Sequence, residues 1–334
     1  MLNDLFGRTI DYVRLALTDR CNLRCTYCMS ETPDFMPSAE QWTLAEIERL
    51  LALMAHIGIR KLRITGGEPL LRRDIDPIMQ LCANHSTITS RHITTNATRL
   101  MHYSNHLLSW KLSGINISID TLREDRFHMI TRRHDFRRIW DTIYHCITLY
   151  EESPDVFPAI KLNVVVMDNV NTDELLDFVA LTRQLPITVR FIEQMPFDGR
   201  SERMTLAWDH TRILRTIAEN VELIALPFVA QATAQMYMPV GHRGHIGIIA
   251  GFSRTFCGTC NRLRITAGGM VQTCLYDRGS FNIRTAMRSG MSDQDILEHI
   301  THVVVHRASD GHSAEERHSR IEPVYFPSMS AIGG

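Results

Sequence analysis

The chain has 334 residues, 44% hydrophobic and 22% charged, with 36 basic against 37 acidic side chains and a formal net charge of −1. That length suits one large domain, or one domain with an extension. The near-zero charge argues against broad nucleic-acid binding, which needs a basic footprint, but it leaves room for a local basic pocket. No apolar run approaches a membrane span; 246–252 is among the longest and reads as a buried strand. The N-terminus lacks a basic-then-apolar targeting pattern, so a cytoplasmic protein is expected, in a reducing setting where thiolates stay free for metal.

Six β-rich stretches recur, over 12–17, 61–65, 92–95, 114–119, 159–166 and 188–193, each followed by helical periodicity. Between the first two, Thr43 and Glu46 form a capping box that opens a helix through Met54. A second helix opens at 171–174, with Leu175, Leu176, Phe178 and Val179 on its inner face. Strand–helix alternation implies an α/β fold with a parallel sheet and helices outside. Six units over 1–195 suggest an incomplete TIM-like (β/α)6 barrel, whose chemistry belongs at the carboxyl ends of the strands. Near residue 196 the alternation fails. Residues 196–334 read as an α+β extension, with a helix over 209–221 and short strands around Tyr237 and over 245–249.

Cys21, Cys25 and Cys28 stand close behind the first strand in a C-x3-C-x2-C pattern. Soft thiolates at this density suit an iron–sulfur cluster, zinc or copper(I). A disulfide does not suit a reducing setting, and a structural zinc lacks a fourth ligand nearby. A 4Fe–4S cluster needs four ligands; three thiolates would leave one iron open for substrate. Cys257, Cys260 and Cys274 form a second triplet. There spacing alone leaves zinc, with His242 or His245 as a fourth ligand, and iron both open. Cys82 and Cys146 lie on apolar helical faces and read as core residues.

The strands carry polar residues at spacing two: Lys61 and Arg63, Asn116 and Ser118, Lys161 and Asn163, with Arg190 on the sixth. Residues two apart share one face of a strand. A structural barrel core would hold Val, Ile and Leu there, so the repetition implies a polar, anionic substrate. After the second strand come Gly66, Gly67, Glu68 and Pro69, a turn where backbone can approach a ligand and a carboxylate can accept from an ammonium.

The first triplet resembles the signature of radical S-adenosylmethionine (SAM) enzymes. The resemblance implies that the open iron binds SAM and that an electron splits it into methionine and a 5′-deoxyadenosyl radical. It also implies that Tyr27 packs by the adenine and that Gly66, Gly67 and Glu68 hold the amino group. Two triplets, the Arg262 and Arg264 pair, and the Gly333–Gly334 terminus together resemble the GTP 3′,8-cyclase family of molybdenum cofactor biosynthesis, over 14–334. That family implies two 4Fe–4S clusters, the second carried by the extension. It implies GTP as substrate, bound by Arg14, Lys61, Arg63, Lys161 and Arg190, with Thr94, Ser118 and Met195 at the SAM site or its junction with GTP. Arg262, Arg264 and the two terminal glycines are then catalytic. The product would be 3′,8-cyclo-7,8-dihydro-GTP, formed after H3′ abstraction. Partners implied are an external electron donor and a downstream cyclic pyranopterin monophosphate synthase; a homodimer is left open, and neither nucleic acid nor membrane is expected. Alanine stands at 97 where the family more often has glycine, so a slightly different turn is expected there. A radical SAM peptide maturase and an iron–sulfur electron carrier are the competing readings; binding of GTP separates them from a cyclase.

Overall fold

The computed structural model describes residues 1–197, 206–319 and 328–333. Its frame is a twelve-stranded mixed sheet. The predicted six appear as β1 (Tyr12–Ala16), β2 (Lys61–Thr65), β3 (Ser90–Thr95), β4 (Gly114–Ser118), β5 (Ala159–Val166) and β6 (Thr188–Glu193). β1 and β4 stop one residue earlier than predicted, and β3 starts two earlier. The extension adds β7 (Leu223–Ala225), β8 (Ala234–Pro239), β9 (His245–Ile249), β10 (Arg262–Ile265), β11 (Met270–Gln272) and β12 (Phe281–Asn282). The strand order is β12-β11-β10-β1-β2-β3-β4-β5-β6-β9-β8-β7.

The extension is woven into this sheet. β10 pairs parallel with β1, and β9 pairs parallel with β6, so the parallel run continues past both edges of the predicted six. Antiparallel pairs then finish each side. The order is linear, as an open barrel requires.

Period two sorts each strand into faces. Val13, Leu15, Leu62, Ile64, Ile115, Ile117, Leu162, Val164, Val189 and Phe191 are buried towards the helices, each 2% exposed or less. Burying one such side chain contributes about 1.5–3 kcal/mol, which is why the register is firmly set. Thr43 Oγ1 accepts from Glu46 N, and the Glu46 carboxylate accepts from Thr43 N, completing the capping box of α1 (Leu44–His56).

Two helix expectations are corrected. Residues Thr172–Glu174 form a 3-10 turn, and the α-helix starts at Leu175, running to Gln184. At 3.6 residues per turn Leu175, Phe178 and Val179 share the buried face, while Leu176 falls to its side and is 36% exposed. The helix predicted over 209–221 spans His210–Ala218, with Asp209 as its N-cap. Cys82 and Cys146 are buried in the core as expected. Among the described residues no helix is long and apolar enough to cross a membrane.

Candidate active site

β1 and β10 run parallel from Tyr12 opposite Arg262 to Leu15 opposite Ile265. Cys21, Cys25 and Cys28 follow the carboxyl end of β1, whereas Cys257 and Cys260 precede the amino end of β10. Cys274 follows β11, which is antiparallel to β10 and returns to that same end. The triplets therefore lie beyond opposite ends of one strand pair, whose paired span alone is on the order of 10 Å. One cavity of about 590 Å³ reaches all six thiols.

Its wall includes every predicted cation: Arg14, Lys61, Arg63, Lys161, Arg190, Arg262 and Arg264. Tyr27, Gly66, Gly67, Thr94, Ser118 and Met195 line it as well. Arg264, Arg14 and Arg63 sit side by side across three strands. Few groups among the described residues answer them. Arg63 donates to Tyr12 Oη at 2.6 Å and to Thr94 Oγ1 at 3.2 Å. Arg190 donates to Asn116 Oδ1, and Gly247 on β9 leaves it room, since a Cβ there would lie 3.2 Å from its Cγ. Lys61 Nζ lies 4.9 Å above the Tyr12 ring, and the Arg262 guanidinium 4.8 Å above that of Phe256. The buried Nε atoms of Arg14, Arg190 and Arg262 have no hydrogen-bond partner among the described residues.

Crowded, buried cations are harder to protonate. Burial first, then neighbouring arginines, bring Lys161 down to about 8, Arg190 to about 9 and Arg264 to about 10. Burial and the cations Arg63, Lys61, Lys161 and Arg190 push His92 to about 2, so its imidazole is neutral. Burial raises the Tyr12 phenol, but Arg63, Arg14 and Lys61 outweigh it and bring it to about 7.

At the carboxyl ends, a Cβ on Gly67 would lie 2.4 Å from Arg20 O and 2.6 Å from Asp19 O. Gly67 N donates to Thr18 O, and Glu68 N to Arg20 O. The glycine turn thus lets the backbone leading into Cys21 approach closely. Glu68 lies behind the wall, fully buried, where its carboxylate accepts from Leu70 N, Thr95 Oγ1 and Asn96 N. Burial raises it to about 7 against those hydrogen bonds. Tyr27 Oη donates to Asp120 Oδ2 at 2.7 Å, fixing the ring beside Cys28. Burial pushes Cys21 up to about 12 and Cys28 to about 11. Cys260 differs: burial raises it, but Arg262 and Arg307 prevail and bring it to about 6.

The C-terminal segment crosses this site. Ser328 Oγ donates to Cys28 O at 2.7 Å, and Arg264 Nη1 donates to Gly333 O at 2.6 Å. Gly333 has a φ of 81°, and a Cβ on it would lie 2.6 Å from Thr65 Oγ1. Gly334 lies outside the described residues. His242, offered as a zinc ligand, instead bonds Thr182 Oγ1 at 2.8 Å, and His245 starts β9; among the described residues neither is grouped with the second triplet as a metal ligand. Among the described residues no three His, Cys, Asp or Glu side chains are grouped as ligands of a single metal ion.

Residues 15–182 match the radical SAM superfamily model, and residues 187–313 match Molybdenum Cofactor Synthesis C. GTP 3′,8-cyclase of Chlorobaculum tepidum is 37% identical over 100% of this chain and 97% of its own. GTP 3′,8-cyclase of Syntrophomonas wolfei is 38% identical over 88% of this chain and 90% of its own. The chain belongs to the GTP 3′,8-cyclase family of radical SAM proteins. Molybdenum cofactor biosynthesis protein 1 of Bos taurus is 41% identical over 89% of this chain and 46% of its own; the chain spans about half the length of such animal relatives. Among solved structures, Streptococcus suis SuiB covers 97% of this chain and 78% of its own with a TM-score of 0.59 and 15% identity, a likeness of fold alone.

Some cavity residues of this family member escaped the sequence reading. Tyr12 and His92 stand two residues before Arg14 and Thr94, so the same alternation points to them. Arg254, whose guanidinium stacks 3.5 Å above the Tyr276 ring, and Ser330 left no local signal.

Proposed function

We propose that this chain is a GTP 3′,8-cyclase, converting GTP to 3′,8-cyclo-7,8-dihydro-GTP as the first step of molybdopterin formation. The observation that carries this reading is one cavity joining two thiol triplets along a wall of buried, under-partnered arginines. A buried charge without a partner costs several kcal/mol, so the wall is fitted to a polyanion such as a triphosphate. Each triplet offers three thiols and, among the described residues, no fourth ligand grouped with them. That donor set fits a 4Fe–4S cluster with an open iron better than a lone zinc, which draws its sulfurs to within about 4 Å of one another.

Residues 1–195 would hold one cluster on Cys21, Cys25 and Cys28, with SAM against Tyr27, Gly66, Gly67, Ser118 and Met195. Glu68 acts there through the backbone it anchors. Residues 196–334 would hold the second cluster on Cys257, Cys260 and Cys274, where the guanine base binds. When bound, these groups supply reductive cleavage of SAM and hydrogen abstraction at ribose C3′. The chain's own residues do the holding. Arg14, Lys61, Arg63, Lys161 and Arg190 grip the phosphates, with Thr94 at the junction. Arg262 and Arg264 orient the base side, Gly333 closes the site over Arg264, and Gly334 is assigned the same catalytic role. Fixing reactants and excluding water is the protein's main contribution in such chemistry. An external electron donor and a downstream synthase for cyclic pyranopterin monophosphate complete the reading.

Anaerobic purification followed by iron and sulfide counts, then incubation with SAM, dithionite and GTP, tests it. About eight irons with GTP-dependent deoxyadenosine and a cyclised guanine product is the expected result. About four irons, with SAM cleaved whether or not GTP is present, sinks the cyclase reading and reopens peptide maturation.

A further inference from the structure

Two buried arginines that take no part in the phosphate wall converge on the second triplet. Arg307, 6% exposed, donates from Nη1 to Cys260 O at 3.1 Å and from Nη2 to Thr273 O at 2.9 Å. The same Nη2 lies 3.6 Å from Cys260 Sγ. Arg8 donates from Nη1 to Cys257 O at 3.0 Å and from Nη2 to Ala308 O at 2.9 Å. Asp4 joins them: its Oδ2 lies 2.5 Å from Arg8 Nε and 3.8 Å from Arg307 Nε. Asp4 and Arg8 belong to an N-terminal hairpin, in which Leu2–Asn3 pairs with Thr9–Ile10. The start of the chain therefore braces a site built from residues some 250 positions later.

A purely structural brace needs only the backbone carbonyls, and Arg8 reaches the cysteine loop only through one, Cys257 O. Arg307 alone also addresses a sulfur. The network holds two guanidinium groups against one carboxylate, so net positive charge faces the thiol. A hydrogen bond and a fixed cation at a cluster thiolate favour the more negative, reduced state, and such contacts are among the levers that set iron–sulfur potentials.

We propose that Arg307 is a positioning residue that raises the reduction potential of a cluster on Cys257, Cys260 and Cys274 through its contact with Cys260 Sγ, while Asp4 and Arg8 hold it and the cysteine loop in place. This rests on the second-cluster reading above. Its chemical meaning is that the second site accepts an electron more readily than its three bare thiolates would allow.

The test uses the full chain with Cys21, Cys25 and Cys28 replaced by serine, so that only the second site is read. Iron content and an anaerobic redox titration followed by electron paramagnetic resonance are compared for Arg307, Arg307→Lys, Arg307→Met and Arg8→Lys. Arg307→Met is expected to raise the oxidised-to-reduced ratio at fixed poise about tenfold, a fall of about 59 mV for one electron. Arg307→Lys should recover part of that shift. Arg8→Lys should speed iron loss and leave the potential where it was. If Arg307→Met holds no iron while its circular dichroism stays native, the bracing role is supported and Arg307→Lys carries the potential test. Full iron with an unmoved potential in both Arg307 variants overturns the proposal while the second cluster stands. An iron-free parent chain overturns the second cluster and this proposal together.

Discussion

Lys161 and Tyr12 set the pH behaviour expected of substrate binding. Lys161, depressed to about 8, and Tyr12, lowered to about 7, are both shifted by Arg63 and Arg190 or Arg14 in a buried, cationic cluster. A bound triphosphate would raise both, so binding takes up protons above about pH 7. Affinity must then fall as pH rises from about 7 through 9, since the free protein holds fewer protons than the complex there. His92, neutral throughout, adds nothing to this slope. Equilibrium binding of GTP across that range checks it; a flat or rising affinity would show that the phosphates do not reach these groups. Ala97 is a second residue-scale case. It takes a φ of 60° while fully buried, as a glycine would without penalty. The left-handed backbone costs about 1–2 kcal/mol, and the buried methyl contributes about 0.8 kcal/mol. Ala97→Gly should therefore be neutral to about 1 kcal/mol stabilising by urea unfolding. A loss above about 1 kcal/mol would show that packing outweighs the backbone at this turn.

Among the elements, the strands were the most legible. Strict alternation over five to eight residues names both the buried face and the cavity face, and Arg14, Lys61, Arg63, Lys161 and Arg190 all lie where that period puts them. Helix entry at Leu175 was less legible. The 3-10 turn at Thr172–Glu174 consumes the residues that the capping pattern assigned to the first α-turn, and helical spacing leaves Leu176 beside the buried face. The terminal segment carries its own prediction. Gly333 has positive φ, no space for a Cβ beside Thr65 and Ala16, and its carbonyl on Arg264. Gly333→Ala should lower product formation at least tenfold, as misplacement of about an ångström can. Iron content should not change. Unaltered turnover with full iron would free the tail of any catalytic part.

At the scale of the molecule, the edges of the sheet matter most. β9 and β10 come from the extension, yet they cover β6 and β1 on either side of the six-strand core. A fragment 1–195 would expose two long parallel edges together with the apolar surface that β9 and β10 cover, a template for aggregation. It is expected to be insoluble, or to lack cooperative unfolding, when expressed alone. A soluble fragment with a sharp thermal transition would mark the core as independent of its extension.

The chain's order of residues by itself determined the cysteine spacing, the inward cations, the capping box and the limits of the six core strands to within two residues. These are set by local chemistry: ligand spacing, a period of two, and side-chain oxygens near free N–H groups. Only the tertiary structure decided that the two triplets lie beyond opposite ends of one strand pair and share a cavity. It alone brought Arg8 to Cys257 and Asp4 to Arg307, placed Gly333 on Arg264, and took His242 to Thr182. Those contacts join residues from about 60 to 300 positions apart. No local pattern encodes such a pairing, because sheet register and burial of the whole core choose it.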